Sequence, residues 1–399
     1  MTPSTTTALR RPVRQHVHLP QLDGLRTLAV VLVLGYHVVR TEEIPVLSGA
    51  FIGVDVFFVL SGFLITTLLL REHASSGRID LRRFYVRRLW RLYPALVLVS
   101  VVAAAAFTVR PSLFGLEAGS PVESLVALAY GMSWWSGLEL SGGPYLLGLT
   151  WSLSVEEHFY LLWPLLLIAL LRRGAGLRSV VLVAVLANAW PAVLWLTGAD
   201  PDRLYYLPDS RFAQLLTGCA LAAMLVARDD AGRLTGGLAR WAPVFSGRAA
   251  ALALAGTAVV VVVGDRYAAW YWVGGMQAVG VASAVVIGHL VLHGEGRLAA
   301  QLGRPWAAQI GVWSYGIYLW HLPLIRLARP VLGETLLVTT AAALLAVPVA
   351  AASYAWVEQP LLRSRARPTP TPVPLSPRRT VPVSSLPRAP ELELARRAA

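Results

Sequence analysis

Six ionisable side chains stand in stretches that are otherwise almost wholly apolar: Arg26 and His37 in LDGLRTLAVVLVLGYHVVR, Asp55 in GVDVFFVLSGFLIT, Glu156 and Glu157 in TWSLSVEEHFYLLWP, and His321 in SYGIYLWHLP. An ionisable group inside a bilayer-length helix is costly, and its default reading is functional. Arg26 and His37 are separated by about three helical turns, so they share one face and lie roughly 16 Å apart along the axis. The competing reading is structural: Arg26 snorkels to the headgroups and His37 is a satisfied packing residue. A carboxylate beside an imidazole fixes its tautomer and stabilises its charged form, as a general base acting on an acceptor hydroxyl requires. Glu156 and Glu157 point about 100° apart on a helix, so one can face a cavity while the other meets a neighbouring helix. Asp55 enters the bilayer from the side on which His37 ends, within range of an interhelical ion pair or hydrogen bond.

A second group offers anion binding. In FYVRRLWRLYP, Arg88 and Arg91 fall on one helical face and are interleaved with Tyr85, Trp90 and Tyr93. Guanidinium groups bind phosphates bidentately, so this segment suits an anionic nucleotide. Topology accounts for Arg71, Arg78, Arg82 and Arg83, and it covers Arg87, Arg88 and Arg91 as well. Ser61 and Gly62 sit near mid-membrane, where a small residue first signals close helix packing.

The elements that must hold these residues are membrane helices. The chain has 399 residues, 56% hydrophobic and 14% charged, which describes a polytopic all-α membrane protein. Apolar stretches long enough to span, or nearly so, fall at about 22–40, 51–70, 93–110, 149–171, 178–197, 210–227, 249–264, 269–292, 307–327 and 334–357. These predict a bundle of about ten transmembrane helices. With a cytoplasmic start, the inner segments collect 27 of the 35 arginines, and the outer segments hold seven. The candidate at 122–138 would invert two arginine-rich loops if it crossed, so it is expected to be a re-entrant or interfacial element, with Trp134 and Trp135 at headgroup level.

Residues 1–21 form a cytoplasmic segment, 22–363 the membrane domain, and 364–399 a Pro/Arg-rich tail expected to be disordered, with both termini cytoplasmic and the protein in the plasma membrane. Arg10, Arg11 and Arg14 resemble a signal n-region, but the span that follows is long and lacks a clear cleavage site, so it reads as a retained anchor. The single cysteine, Cys219, provides neither a disulfide nor a cysteine metal site, and no metal is expected. There is no GxxxxGK[ST] or GxGxxG loop. The net charge of +13 reports topology rather than nucleic-acid binding. By depth, His37, Asp55, Glu156, Glu157 and His321 fall in the outer half, and Arg26, Arg88 and Arg91 lie toward the cytoplasm.

Six segments in order across residues 22–363 together resemble the acyltransferase 3 family of integral-membrane O-acyltransferases. They are LDGLR with Arg26 and His37 in R-x10-H spacing, GVDVFFVLSGFLIT, RRLWRLYP with its R-x-x-R at Arg88 and Arg91, WSLSVEEHFYLLWP, SYGIYLWHLP, and YAWVEQPLLR ending at Arg363. The resemblance implies a ten-helix domain that takes an acyl group, usually acetyl, from cytoplasmic acyl-CoA and transfers it to a hydroxyl, most often on a carbohydrate. It also implies that His37 is essential and that Arg26, Arg88 and Arg91 serve the donor. Many relatives carry a hydrolase-like domain after the membrane domain. The segment after 363 is too short and too proline-rich for one, which implies a stand-alone form acting on polysaccharides, glycolipids or glycosylated metabolites rather than on acceptors, such as peptidoglycan in some relatives, whose modification depends on that second domain.

The combined expectation is a membrane O-acyltransferase. His37 is the general base or an acyl-accepting nucleophile, and Glu156 or Glu157 is its partner. Arg26, Arg88 and Arg91 hold acyl-CoA, while Asp55, Ser61 and His321 are substrate-side candidates. A transporter or flippase for lipid-linked sugars would also carry charges in a helical bundle, but would not need the arginine cluster. A non-catalytic scaffold leaves the buried charges without a purpose.

Overall fold

The computed structural model describes residues 19–44, 47–109, 111–112, 120–140, 145–173, 176–226 and 236–365. Residues 366–399 of the expected disordered tail lie outside these residues, as does nearly all of the N-terminal segment, whereas Ser364 and Arg365 end the last helix. Among the described residues every regular element is helical: α1 (Pro20–Thr41), α2 (Gly53–Ser76), α3 (Leu81–Val109), α4 (Val122–Leu128), α5 (Met132–Gly137), α6 (Trp151–Arg172), α7 (Gly176–Leu196), α8 (Pro201–Tyr206), α9 (Pro208–Val226), α10 (Gly247–Val263), α11 (Met276–Leu292), α12 (Arg297–Leu302), α13 (Pro305–Leu332), α14 (Leu336–Ser353) and α15 (Gln359–Arg365), with short 3-10 and π turns between some of them.

Each of the ten apolar stretches forms a helix. Seven helical segments are long and apolar enough to cross a membrane, or eight if the bent pair Ala239–Phe245 and Gly247–Val263 is one span. That is fewer than about ten, because α9 and α13 are long but carry polar groups inward: Arg211 and Gln214 on α9, and Ser314 and His321 on α13, are all buried. The arginine segment expected as a loop before the third span is instead the first turns of α3, which begins at Leu81. The 122–138 region forms two helices of 7 and 6 residues, too short to cross. They are pinned against neighbouring helices by Ser124 Oγ donating to the Ser100 carbonyl (2.9 Å) and by the Met132 amide donating to Ser154 Oγ (3.2 Å).

Helix α2 is central and buried on nearly every side. A helix that is apolar all round belongs inside a bundle. It lies against α9 with the backbones almost touching: a Cβ on Gly62 would sit 1.8 Å from the Leu215 carbonyl oxygen, and one on Gly218 would sit 2.0 Å from that of Val59. Small residues allow such an approach where lipid supplies no hydrophobic drive. The same device joins α1 to α13, where Gly311 faces the Asp23 carbonyl. By contrast α7, α10 and α14 expose Leu182, Val185, Leu252, Val259, Leu337 and Leu344. These side chains form the lipid-facing wall.

Candidate functional site

The α1–α13 crossing is what brings the two histidines together. Beyond Gly24 and Gly311 both helices run on in the same direction, and roughly 15–20 Å further along they carry His37 and His321. His37 Nδ1 and His321 Nε2 are 3.2 Å apart, with the rings edge-on at 4.8 Å. Carbonyl oxygens settle the tautomers. His321 Nδ1 lies 2.7 Å from the Tyr318 carbonyl, which can only accept, so this nitrogen carries the proton and Nε2 is a free acceptor. His37 Nδ1 lies 2.9 Å from the Val33 carbonyl, so it too is a donor, shared between Val33 and His321. The basic lone pair of neutral His37 is therefore on Nε2.

Neither Glu156 nor Glu157 hydrogen-bonds to His37. Glu156 instead accepts from Ser61 Oγ at 2.6 Å, which ties α6 to α2. Glu157 has a buried Oε1 without a partner. The phenol of Tyr318 links the two regions: its ring lies 5.7 Å from that of His321, and its oxygen lies 2.7 Å from Ser152 Oγ on α6.

Asp55 belongs elsewhere. Its carboxylate receives Arg211 at 2.5 Å and the Tyr271 hydroxyl at 2.6 Å, and the Asp55 and Arg211 side chains are both fully buried. Arg211 also faces the rings of Phe58, Trp151 and Tyr205 at 5.1 to 5.6 Å. This is a structural tie between α2, α9 and the π turn Tyr271–Gly275. Arg211 has no motif around it. The signal available in the sequence was an arginine within a span, the same signal that marks Arg26.

The three arginines expected to serve the donor do converge. Arg91 lies within electrostatic reach of Arg26 and Arg88. Arg88 stacks on the Tyr160 ring at 3.6 Å, and its Nε is buried without a hydrogen-bond partner. Arg91 keeps accessible surface but is closely surrounded by other groups, with Asp23 and Tyr160 nearby. Orphaned buried polar atoms are rare in folded proteins, and those on Arg88 and Glu157 are groups a ligand could satisfy. The site thus has two levels. Three arginines, among them Arg88 with an unspent Nε, occupy one, and a histidine with a free basic nitrogen occupies the other.

The chain matches the family described as an acyltransferase domain over residues 19–355. The YrhL protein of Bacillus subtilis is 36% identical over 333 residues, covering 80% of this chain and 50% of that protein. The peptidoglycan O-acetyltransferase OatA of Listeria monocytogenes is 34% identical over 336 residues (80% and 51%). The O-acetyltransferase OatA of Staphylococcus aureus strain NCTC 8325 is 32% identical over 329 residues (77% and 51%). The chain spans about half the length of the curated relatives it matches. No solved structure matches it.

Proposed function

The chain belongs to the acyltransferase 3 family of integral-membrane enzymes, and on that footing we propose that its 22–363 domain transfers an acetyl group from acetyl-CoA to a hydroxyl of an envelope glycan. The names of its relatives point to peptidoglycan or a related cell-wall sugar as acceptor. The arginine distribution supports a cytoplasmic face for the Arg26, Arg88 and Arg91 end, and cytoplasmic termini. There the three guanidiniums hold the phosphates of the donor, with Arg88 already oriented by Tyr160. The long pantetheine arm carries the thioester toward His37, roughly 16 Å deeper.

His37 Nε2 removes the proton of the acceptor hydroxyl as its oxygen attacks the thioester carbonyl. The new C–O bond forms and the C–S bond breaks. His37 returns the proton to the departing thiolate, which leaves as CoA thiol. His321 holds the His37 ring so that Nε2 faces the reacting atoms. The observation that carries this reading is the engaged Nδ1 of His37 beside His321, which leaves one basic nitrogen available. His37→Ala is expected to abolish transfer of labelled acetyl from acetyl-CoA while the protein still inserts and elutes as a folded species. Wild-type transfer by that variant would sink the assignment.

A further inference from the structure

A base that becomes an imidazolium during the reaction is usually given an anion to stabilise it. Among the described residues His37 has none in contact. The charged groups near its ring are Arg326 and Arg40. These two arginines are unusual at this end of the bundle. Arg203 pairs with Asp209 at 2.8 Å, Arg266 with Asp202 at 2.8 Å, and Arg329 with Glu42. Arg40 is exposed with no ion pair among the described residues, and Arg326 donates to the Tyr145 carbonyl and stacks on the Tyr145 ring at 4.6 Å. The nearby Glu123 is already occupied by the backbone amides of Tyr145, Leu146 and Leu147.

Tyrosines surround the same mouth. The Tyr36 ring is edge-on to His37 at 5.3 Å, and Tyr36 lies within reach of Arg40, Arg266, Tyr206 and Tyr267. Arg266 holds the Tyr206 and Tyr267 rings at 5.6 and 4.6 Å. Tyr206 is also near Arg326. Tyrosine offers an apolar face to the C–H side of a sugar ring and a hydroxyl to its polar edge. Guanidiniums with no carboxylate in contact suit a carboxylate or phosphate.

We propose that the His37 end of the bundle is a subsite for an acidic sugar, with Tyr36, Tyr206 and Tyr267 flanking the ring and Arg40 and Arg326 holding its anionic group beside the hydroxyl to be acylated. The acceptor thereby brings a counter-charge to the base, and donor and acceptor enter from opposite ends. The subsite rests on the reading of His37 as the base, but its binding test does not require chemistry.

The test is equilibrium binding to the full-length protein in neutral-lipid nanodiscs with no acetyl donor present. Chitotetraose is compared with hyaluronan tetrasaccharide for a carboxylate, and N-acetylglucosamine with its 6-phosphate for a phosphate. In at least one pair the acidic member is expected to bind about tenfold or more tightly, with the advantage shrinking at high salt. Arg40→Gln combined with Arg326→Gln should erase the preference, and Arg326→Lys should keep most of it. Equal binding within both pairs, no binding of any probe, or a preference that survives the double variant would overturn the subsite. The acyl-transfer reading would remain intact, since it is tested separately by transfer of labelled acetyl in the wild type and its loss in His37→Ala.

Discussion

The contact between His37 and His321 assigns them different tasks. In the proposed mechanism His37 presents Nε2 to substrate, whereas His321, fully buried and in contact with His37, acts through it. His321→Ala should therefore lower kcat by about 10²-fold or more, in the range of a misoriented general base, while KM for acetyl-CoA changes by less than about threefold. His321→Gln offers an oxygen that can accept from His37 Nδ1 and should recover part of the rate. A packing role alone would instead lower the amount of folded enzyme and leave kcat per folded molecule unchanged. Both histidines were legible in the sequence as ionisable groups in apolar helices at similar depth. Their pairing was not, because it depends on how α1 crosses α13, and 284 positions of chain lie between the two residues. The carboxylate partner expected for His37 failed for the same reason: Glu156 is on α6, and the packing of α6 against α2 places Ser61 within its reach.

At the level of elements, hydropathy located all ten long helices to within a few residues, because burial in lipid imposes length and composition directly. It missed the start of α3, where arginines continue a helix beyond its apolar part. What hydropathy cannot show is which helices meet, and here glycines and one ion pair decide. Gly218→Val should prevent α2 and α9 from closing, since even a Cβ would overlap the Val59 carbonyl and the adjacent Phe63 amide nitrogen. A loss of about 1–3 kcal/mol or more is expected for such overpacking, measured as a fall in thermal midpoint and in monodisperse yield. The Asp55–Arg211 pair makes a sharper prediction. Arg211→Met alone leaves a buried carboxylate uncompensated and should cost about 3–5 kcal/mol, whereas Arg211→Met with Asp55→Leu should restore much of the stability. If the double variant is as unstable as the single one, the pair does more than tie α2 to α9.

In the proposed scheme the chemistry is divided along the bundle axis, with Arg26, Arg88 and Arg91 at one end and the base toward the other. That Arg26 and His37 share a helix face about three turns apart was readable in advance. The accessible surface kept by Arg91 and the stacking of Arg88 on Tyr160 were not. They make the two arginines experimentally distinct. Arg91 binds only the donor in this scheme, so Arg91→Gln removes one charge-assisted contact, worth about 1.5–3 kcal/mol. KM for acetyl-CoA should rise about tenfold or more with kcat little changed, the pattern of binding lost equally from ground and transition states. Added salt should weaken acetyl-CoA binding in the wild type as well, because the contact is between opposite charges. Arg88→Gln also removes the support of the Tyr160 ring beside Glu156 and Glu157, so kcat should fall along with affinity. Should Arg91→Gln leave KM for acetyl-CoA unchanged and alter KM for the acceptor instead, the two ends of the bundle would have to be exchanged.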